Sequence, residues 1–312
     1  MISISVCMIV KDEERVLERC LKCAAPFADE IVIVDTGSSD RTKEIALRYT
    51  DKVYDFKWID DFSAARNHAY SLCTGDYVYM ADADEVIDEE NIKRILELKE
   101  SLSQDTEIVQ MVYKNQLEYN TTYNFDDELR PKLYKRSRSF VFEGRVHEAV
   151  RTEPVIFDSK IEIIHKPESL HSKRDFSLFI KAIAADGFLP ERLKGMYLRE
   201  LAVSGEDEDF LESSEYFKKA VEEETDEDLL RSELFVLMRA SRIMGDTAAF
   251  MKYSHRALAL GACSETAFEL GEYYRTNGED KEALIWYTNA ASQTQPLLNI
   301  KYGGEYPEKY LQ

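Results

Sequence analysis

Strand-like and helical segments alternate over the first hundred residues, and this alternation limits the possible folds more than any other feature. Short segments with strand character occupy residues 3–10, 30–35, 51–55 and 76–81. Between them apolar residues recur at helical spacing, as in residues 13–24. Alternation of this kind is typical of a mostly parallel sheet with helices on both faces. We therefore predict an α/β, Rossmann-like domain at the start of the chain.

Polar clusters follow three of these strands, at residues 11–14, 35–39 and 82–85. Ligands of open α/β sheets bind beyond the carboxyl ends of the strands, so the clusters indicate a site. In Asp82-Ala-Asp84, two carboxylates separated by one residue can face a single hard cation. Such carboxylates commonly hold Mg²⁺ or Mn²⁺ together with the phosphates of a ligand. Acidic turns are also common without a metal, so the position after a buried strand is what favours this interpretation.

Two further groups could bind a nucleotide or serve the fold. Asp35 could accept hydrogen bonds from a base or ribose, whereas the serines and Asp40 that follow it could instead cap a helix. Arg66 falls in a helix predicted for residues 63–72, with Ser63 as its N-cap. A buried arginine needs an anionic partner, which is either a carboxylate or a phosphate.

The second half of the chain is helical and carries a repeat. After a more strand-like region at 105–165, amphipathic helices are predicted at 210–223, 229–244, 248–260, 266–275 and 280–292. Small and aromatic residues recur near a tetratricopeptide-like period of about 34 residues, and they include Ala220, Ala257, Gly271, Tyr287 and Ala290. An ordinary helical bundle is the alternative. We predict an α/β domain at 1–170 and a helical domain at 171–312.

Composition excludes some classes of protein. Sixty acidic residues outnumber 40 basic ones, for a net charge of −20, which argues against a nucleic-acid partner. The five cysteines are odd in number, and Cys20-Leu-Lys-Cys23 has no second pair to complete a zinc site. The apolar amino-terminal run has no basic region before it and is too short for a membrane span. We expect reduced thiols, no transmembrane segment and a cytoplasmic location.

Four segments in this order resemble glycosyltransferases of family 2, which have the GT-A fold. These segments are residues 6–14, 31–42, 65–67 and 80–85. The resemblance covers roughly residues 1–170. With the helical tail, the chain is similar to a subgroup in which tetratricopeptide-like helices follow the catalytic domain. Peptide S-glycosyltransferases and lipopolysaccharide-core glucosyltransferases have similar amino-terminal halves. The resemblance implies a nucleotide-sugar donor and a divalent cation, Mn²⁺ or Mg²⁺. UDP is favoured only because it is the usual donor nucleotide in the family.

The resemblance also implies roles for single residues. The nucleoside would contact the end of the first strand and the loop after it, at Val10, Glu13 or Glu14, and Asp35. Arg66 and Arg130 would hold the donor, the latter at its diphosphate. Asp82 would lie near the ribose or the metal, and Asp84 would bind the metal. His165, which ends a predicted strand, would be a further metal ligand, although a lone histidine there is more often structural.

The expected reaction inverts the sugar and needs a base on the acceptor side. Gly144-Arg-Val-His-Glu148 supplies Glu148 as the candidate, with His147 as the alternative. The Glu-Asp pair of many family members is missing here, which leaves the identity of the base open. A surface salt bridge between Glu148 and Arg145 is the structural alternative.

The acceptor would offer a hydroxyl or thiol on a glycan, a peptide or a lipid-linked molecule. The helical half would present a concave surface to that acceptor or to a second copy in a homodimer. A nucleotidyltransferase would normally have a phosphate-binding loop rich in glycine and basic residues after the first strand. Residues 11–14 are instead acidic and contain no glycine. A second alternative is a scaffold protein whose helices bind partners and whose catalytic half is degenerate. The intact Asp82-Ala-Asp84 and Glu148 argue against it.

Overall fold

The computed structural model describes residues 1–114, 127–150, 152–167 and 172–311, without the side chains of 172–175. The chain divides into two compact units, Met1–His171 and Ser172–Gln312. Within the residues described, no helix combines the length and the apolar character needed to span a membrane.

An eight-stranded sheet forms the centre of the first unit. In chain order its strands are β1 (Ile4–Val10), β2 (Glu30–Asp35), β3 (Val53–Asp55), β4 (Tyr77–Ala81), β5 (Glu85–Val86), β6 (Ile108–Lys114), β7 (Glu128–Lys135) and β10 (Ile156–His165). Their order across the sheet is β3-β2-β1-β4-β7-β6-β10-β5. Strands β3, β2, β1 and β4 run parallel, as do β6 and β10, whereas β7 and β5 pair antiparallel with their neighbours. A separate hairpin contains β8 (Phe142–Glu143) and β9 (Ala149–Val150).

Helices cover both faces of this sheet, because β1 and its neighbours are apolar on both sides. The helices are α1 (Leu17–Ala24), α2 (Thr42–Ala46), α3 (Phe62–Ser71) and α4 (Glu89–Ser101). Val6 and Met8 of β1 belong to one apolar core with side chains of α1, α2 and α4. Cys7 points to the opposite face and belongs to a second core with side chains of α3 and β8. The predicted α/β class with a mostly parallel sheet is confirmed.

Local boundaries differ from the sequence predictions in ways that have simple causes. Helix α3 begins at Phe62, and its N-cap is Asp61, whose Oδ1 accepts a hydrogen bond from Ala64 N at 3.0 Å. The prediction of Ser63 as the cap was therefore wrong, because an aspartate two residues earlier offers the same kind of acceptor. Strand β5 was not predicted, since a two-residue strand has no periodic pattern.

The second unit consists of helices, as predicted. They are α5 (Ser172–Asp186), α6 (Glu191–Ser204), α7 (Asp207–Glu223), α8 (Glu227–Met244), α9 (Thr247–Ala259), α10 (Ser264–Thr276), α11 (Asp280–Ser292) and α12 (Glu305–Glu308). Helices α8 and α9 form one pair and α10 and α11 the next, and α8 also contacts α10. Gly271 of α10 lies so close to Tyr287 of α11 that a Cβ there would come within 2.6 Å of the ring. The small residues of the repeat thus allow close helix packing.

Candidate active site

The carboxyl ends of β1, β2 and β4 lie side by side at one edge of the sheet. Val10 is the register partner of Asp35, and Met8 is the partner of Ala81. Since all three strands are parallel, the polar segments that follow them emerge at the same edge. The three clusters noticed in the sequence are therefore neighbours in space.

Asp35, the last residue of β2, is buried, and its two carboxylate oxygens differ in their hydrogen bonding. Its Oδ1 accepts hydrogen bonds from Gly37 N at 2.8 Å and Ser38 N at 2.9 Å. Gly37 adopts a φ of +108°, which favours glycine, and this conformation closes the turn. Oδ2 is buried and has no hydrogen-bond partner among the described residues. A buried acceptor without a partner is costly, so this oxygen is suited to a donor group on a ligand.

Hydrogen bonds join the loop after β1 to the loop after β2. Asp12 Oδ1 accepts from Ser39 N at 2.7 Å, and Glu13 N donates to Thr42 Oγ1 at 2.7 Å. Asp40 accepts from both Glu14 N and Thr42 N. The Ser38–Asp40 segment thus joins the two loops. The N-cap of α2 is Arg41, which makes no side-chain capping bond, although Asp40 Oδ1 accepts a hydrogen bond from Thr42 N, the first residue of that helix.

Asp82 lies between two cations at the end of β4. Its Oδ2 is 3.0 Å from Lys132 Nζ, and its Oδ1 is 3.4 Å from Arg66 Nη2. The side chain of Asp82 is 41% exposed, and its partial burial opposes ionisation, but Lys132 and Arg66 outweigh this effect and lower the pKa of the carboxyl well below its usual range. In this arrangement the carboxylate of Asp82 is already neutralised by side chains of the protein.

Glu85 shares the same lysine and is almost fully buried. Lys132 Nζ forms an ion pair with its carboxylate, and Tyr79 Oη donates to Glu85 Oε2 at 3.4 Å. Burial raises the pKa of Glu85 to about 7, with Lys132 opposing the shift and Asp82 adding to it. One ammonium therefore serves two carboxylates at this turn.

Asp84, by contrast, faces His165. Its Oδ2 is 3.0 Å from His165 Nε2, and the two side chains are only 16% and 11% exposed. Strand β5 brings them together, because it pairs antiparallel with the end of β10 and sets His165 opposite Glu85. Lys166 N also donates to the carbonyl oxygen of Asp84 at 2.9 Å. Residues 81 positions apart in the sequence thus form one pair of possible ligands.

Tyr113 of β6 connects this pair to Arg130. Its ring lies 5.4 Å from the imidazole of His165, and the guanidinium carbon of Arg130 is 4.3 Å from the ring centroid. Arg130 Nε also donates to Glu128 Oε2 at 2.9 Å. The positive charge of Arg130 therefore lies over the ring of Tyr113.

Glu148 lies against Arg66, the arginine that also contacts Asp82. Arg66 Nε donates to Glu148 Oε1, and the two side chains are 14% and 10% exposed. The next residue of α3, Asn67, holds the backbone of Phe142 through two hydrogen bonds of 2.9 and 2.8 Å. Arg66 therefore has carboxylate partners, and α3 fixes the hairpin that carries Glu148.

His147, the alternative base, has an unusual backbone. Its φ is +50°, in the left-handed region that non-glycine residues seldom adopt, and Gly144 in the same segment has a φ of +113°. Arg145 O accepts a hydrogen bond from Phe62 N at 3.0 Å at the start of α3. Strained residues of this kind often occur at functional sites.

Asp84 and His165 fit a divalent cation as two ligands of a larger set. One offers a carboxylate oxygen and the other an imidazole nitrogen, a combination that suits Mn²⁺ better than a purely oxygen-loving ion. Within the described residues, no group of three or more histidine, cysteine, aspartate or glutamate side chains could enclose a metal. The remaining ligands would have to come from a bound molecule and water, as is usual for cations that bind phosphates.

Lys132 was overlooked in the sequence. It stands two residues after Arg130 in β7, and both cations lie near the ring of Tyr113. Two cations at this spacing, next to the buried residues Leu133 and Tyr134, were a usable signal. The partners of Lys132 were not foreseeable, because they depend on the pairing of β7 with β4.

Comparisons with known proteins show to which family the chain belongs. The sequence profile described as glycosyl transferase family 2 matches residues 5–164. The glycosyltransferase SunS of Bacillus subtilis is 26% identical over 69% of this chain and 52% of its own length. A TPR repeat-containing protein of Synechococcus elongatus is 48% identical over 27% of this chain and 21% of its own length. The chain thus spans about half or less of the length of these two relatives.

Solved structures with a similar fold include a complex of glucosyl-3-phosphoglycerate synthase from Mycobacterium tuberculosis with Mn²⁺ and UDP-glucose. It has a TM-score of 0.44 and 13% identity, and the match covers 61% of this chain and 81% of that one. TarS of S. aureus has a TM-score of 0.40 and 16% identity, with 92% and 90% covered. Because the family profile matches more than half of the chain, this protein belongs to glycosyl transferase family 2.

Proposed function

We propose that the first unit transfers a sugar from a UDP-sugar to a hydroxyl or thiol acceptor, with inversion and with help from Mn²⁺ or Mg²⁺. The observation that carries the proposal is the turn after β4, which has contacts in two directions. Asp84 meets His165, while Asp82 is joined through Arg66 to Glu148. A candidate cation pair and a candidate base are therefore linked through a single short segment.

The nucleoside would lie at the end of β1 and β2. Asp35 Oδ2 is a buried acceptor without a partner among the described residues, and the N3–H of uracil is a matching donor. Val10 ends the neighbouring strand, and Glu13 and Glu14 lie in the loop after it. Arg66 and Arg130 supply positive charge for the diphosphate.

Asp84 and His165 would hold the cation. When bound, a divalent cation neutralises the charge that develops on the departing diphosphate. Lys132 and Arg66 already neutralise Asp82, so Asp82 is better placed to orient its neighbours than to supply a main ligand.

Glu148 would accept the proton of the acceptor as its oxygen or sulfur attacks the anomeric carbon. The bond between that carbon and the diphosphate oxygen breaks in the same step, which inverts the centre. Arg66 holds the carboxylate of Glu148 in place. His147 is the alternative base.

The helical unit would bind the acceptor, which we infer to be a glycan, a peptide or a lipid-linked molecule, or would form a homodimer. Stacked helical pairs such as α8–α9 and α10–α11 commonly present a binding surface of this kind. We place the protein in the cytoplasm, and its five free thiols support a reducing compartment.

The donor site is tested by thermal unfolding with UDP, GDP, dTDP and their sugars, each with and without Mn²⁺. A ligand that binds only the folded state raises the Tm. We expect a shift with UDP or a UDP-sugar that requires Mn²⁺ and is lost in Asp84→Asn. Asp105→Asn is the matched control, because Asp105 is exposed in the loop before β6. If no nucleotide shifts the Tm of the wild-type protein, the proposed donor site is wrong.

Release of free UDP from a UDP-sugar separates the enzyme from a scaffold protein with a degenerate catalytic half. We expect release that depends on both Mn²⁺ and Glu148, since slow hydrolysis of the donor uses water as the acceptor. A protein that binds UDP but never releases it from a UDP-sugar would support the scaffold.

A further inference from the structure

The turn after β4 contains three acidic residues whose partners differ. Asp82 and Glu85 both pair with Lys132, whereas Asp84 pairs with His165. Carboxylates so close in sequence would all be potential ligands of the same cation. The lysine thus divides the turn into two carboxylates that pair with its ammonium and one that faces an imidazole.

Lys132 is fixed from several sides. Its side chain is only 6% exposed, and Nζ donates to the carbonyl oxygen of Met80 at 3.1 Å. The ring of Tyr113 lies 5.3 Å from Nζ. The antiparallel pairing of β7 with β4 places the lysine beside the end of β4, so its position is set by the sheet and not by a loop.

We propose that Lys132 is a positioning residue that keeps Asp82 and Glu85 away from the cation and leaves Asp84 with His165 as the cation-binding pair. This inference rests on the proposed function, since it concerns the cation of the same site. Its physical basis is competition, because an ammonium 3.0 Å from Asp82 Oδ2 occupies the oxygen that a cation would need. A purely structural lysine would instead only compensate for the burial of Glu85.

The two roles predict opposite effects on cation binding. In Lys132→Met with Glu85→Gln, a charge-balanced pair is removed and Asp82 is released as a second oxygen ligand. We expect this double variant to bind Mn²⁺, without nucleotide, roughly three- to tenfold more tightly than the wild-type protein. Adding Asp82→Asn to it should return the affinity to about the wild-type value. A structural lesion would only weaken binding.

The measurement is a titration with Mn²⁺ alone, followed by the electron paramagnetic resonance signal of the free ion, together with thermal unfolding of each variant. Lys135→Met is the matched control, because Lys135 lies in the same strand and donates to Gln104 O, beyond the opposite end of β4. Lys132→Gln with Glu85→Gln is a second version, whose amides can still form hydrogen bonds if the methionine variant fails to fold.

Unchanged or weaker Mn²⁺ binding by a folded double variant would overturn the role of Lys132. That failure is distinct from a failure of the proposed function, in which the wild-type protein itself binds no Mn²⁺ in the presence or absence of UDP. Tighter binding that persists after Asp82→Asn is added would also overturn it, since Asp82 would then not be the released ligand.

Discussion

Single residues at the sheet edge show how far chemistry can be inferred from residue type. Asp35, Asp84 and His165 were selected from their places at strand ends, and the structure sets Asp84 and His165 3.0 Å apart. The sequence did not show that Asp82 is occupied by Lys132 and Arg66, or that Arg66 reaches Glu148. These contacts join strands and helices whose pairing has no local signal. The roles of these residues stay predictions.

Asp35→Asn should weaken UDP binding roughly tenfold or more, at a cost of about 1–3 kcal/mol. The amide oxygen can keep the bonds to Gly37 N and Ser38 N, which leaves an NH₂ group where Oδ2 was. A donor there opposes the N3–H of uracil but suits the N3 of cytosine, so CDP should lose less affinity than UDP. Isothermal titration with both nucleotides and Mn²⁺ checks this. Equal losses would mean that Asp35 does not contact the edge of the base.

Among the secondary-structure elements, a two-residue strand and a single glycine determine which segments pair and how closely they pack. The two-residue strand β5 sets the partner of Asp84, and Gly271 sets the distance between α10 and α11. The helices themselves were predictable from the spacing of apolar residues. The contact of Gly271 with Tyr287 follows the repeat pattern, although its closeness is visible only in three dimensions.

Gly271→Ala should destabilise the helical unit by about 1–3 kcal/mol, because overpacking outweighs the gain in helix propensity. Tyr287 cannot easily move, since its ring stacks on Tyr310 at 4.4 Å and its hydroxyl donates to Glu272 at 2.6 Å. Gly195→Ala in α6 is the control, because its Cβ would meet only Leu229 at 3.7 Å. That variant should be neutral or stabilised by up to about 1 kcal/mol. Urea unfolding followed by circular dichroism measures both, and equal effects would contradict the packing argument.

At the scale of the whole molecule, buried charges make stability depend on pH. Glu233 of α8 is fully buried beside Lys194, which also pairs with Glu224. Burial raises the pKa of Glu233 from 4.5 to about 7, with Lys194 opposing and Glu224 adding to the shift. At this side chain the folded state therefore binds a proton more tightly than the unfolded state. The contribution of Glu233 to stability is thus fully present below pH 4.5 and is lost as the pH rises through about 7.

The free energy of unfolding should change less between pH 5 and 8 in Glu233→Gln than in the wild-type protein, and the difference should be about 1–3 kcal/mol. Urea unfolding of the wild-type protein and the variant at several pH values measures the slope. Glu227→Gln, an exposed change in the same helix, should keep the wild-type slope. If Glu233→Gln also keeps the wild-type slope, the pH dependence arises from another group.

The α/β class, the helical second half and the polar clusters at strand ends could all be predicted from the order of the residues. These features depend on periodicity and local residue chemistry, which are properties of short segments. Which charged side chains pair with one another is known only from the folded structure. The pairing of β7 with β4 brings Lys132 to Asp82, and the pairing of β5 with β10 brings His165 to Asp84. Such contacts depend on strand order and register, which are set by burial of the whole sheet. No residue pattern within a single segment predicts them.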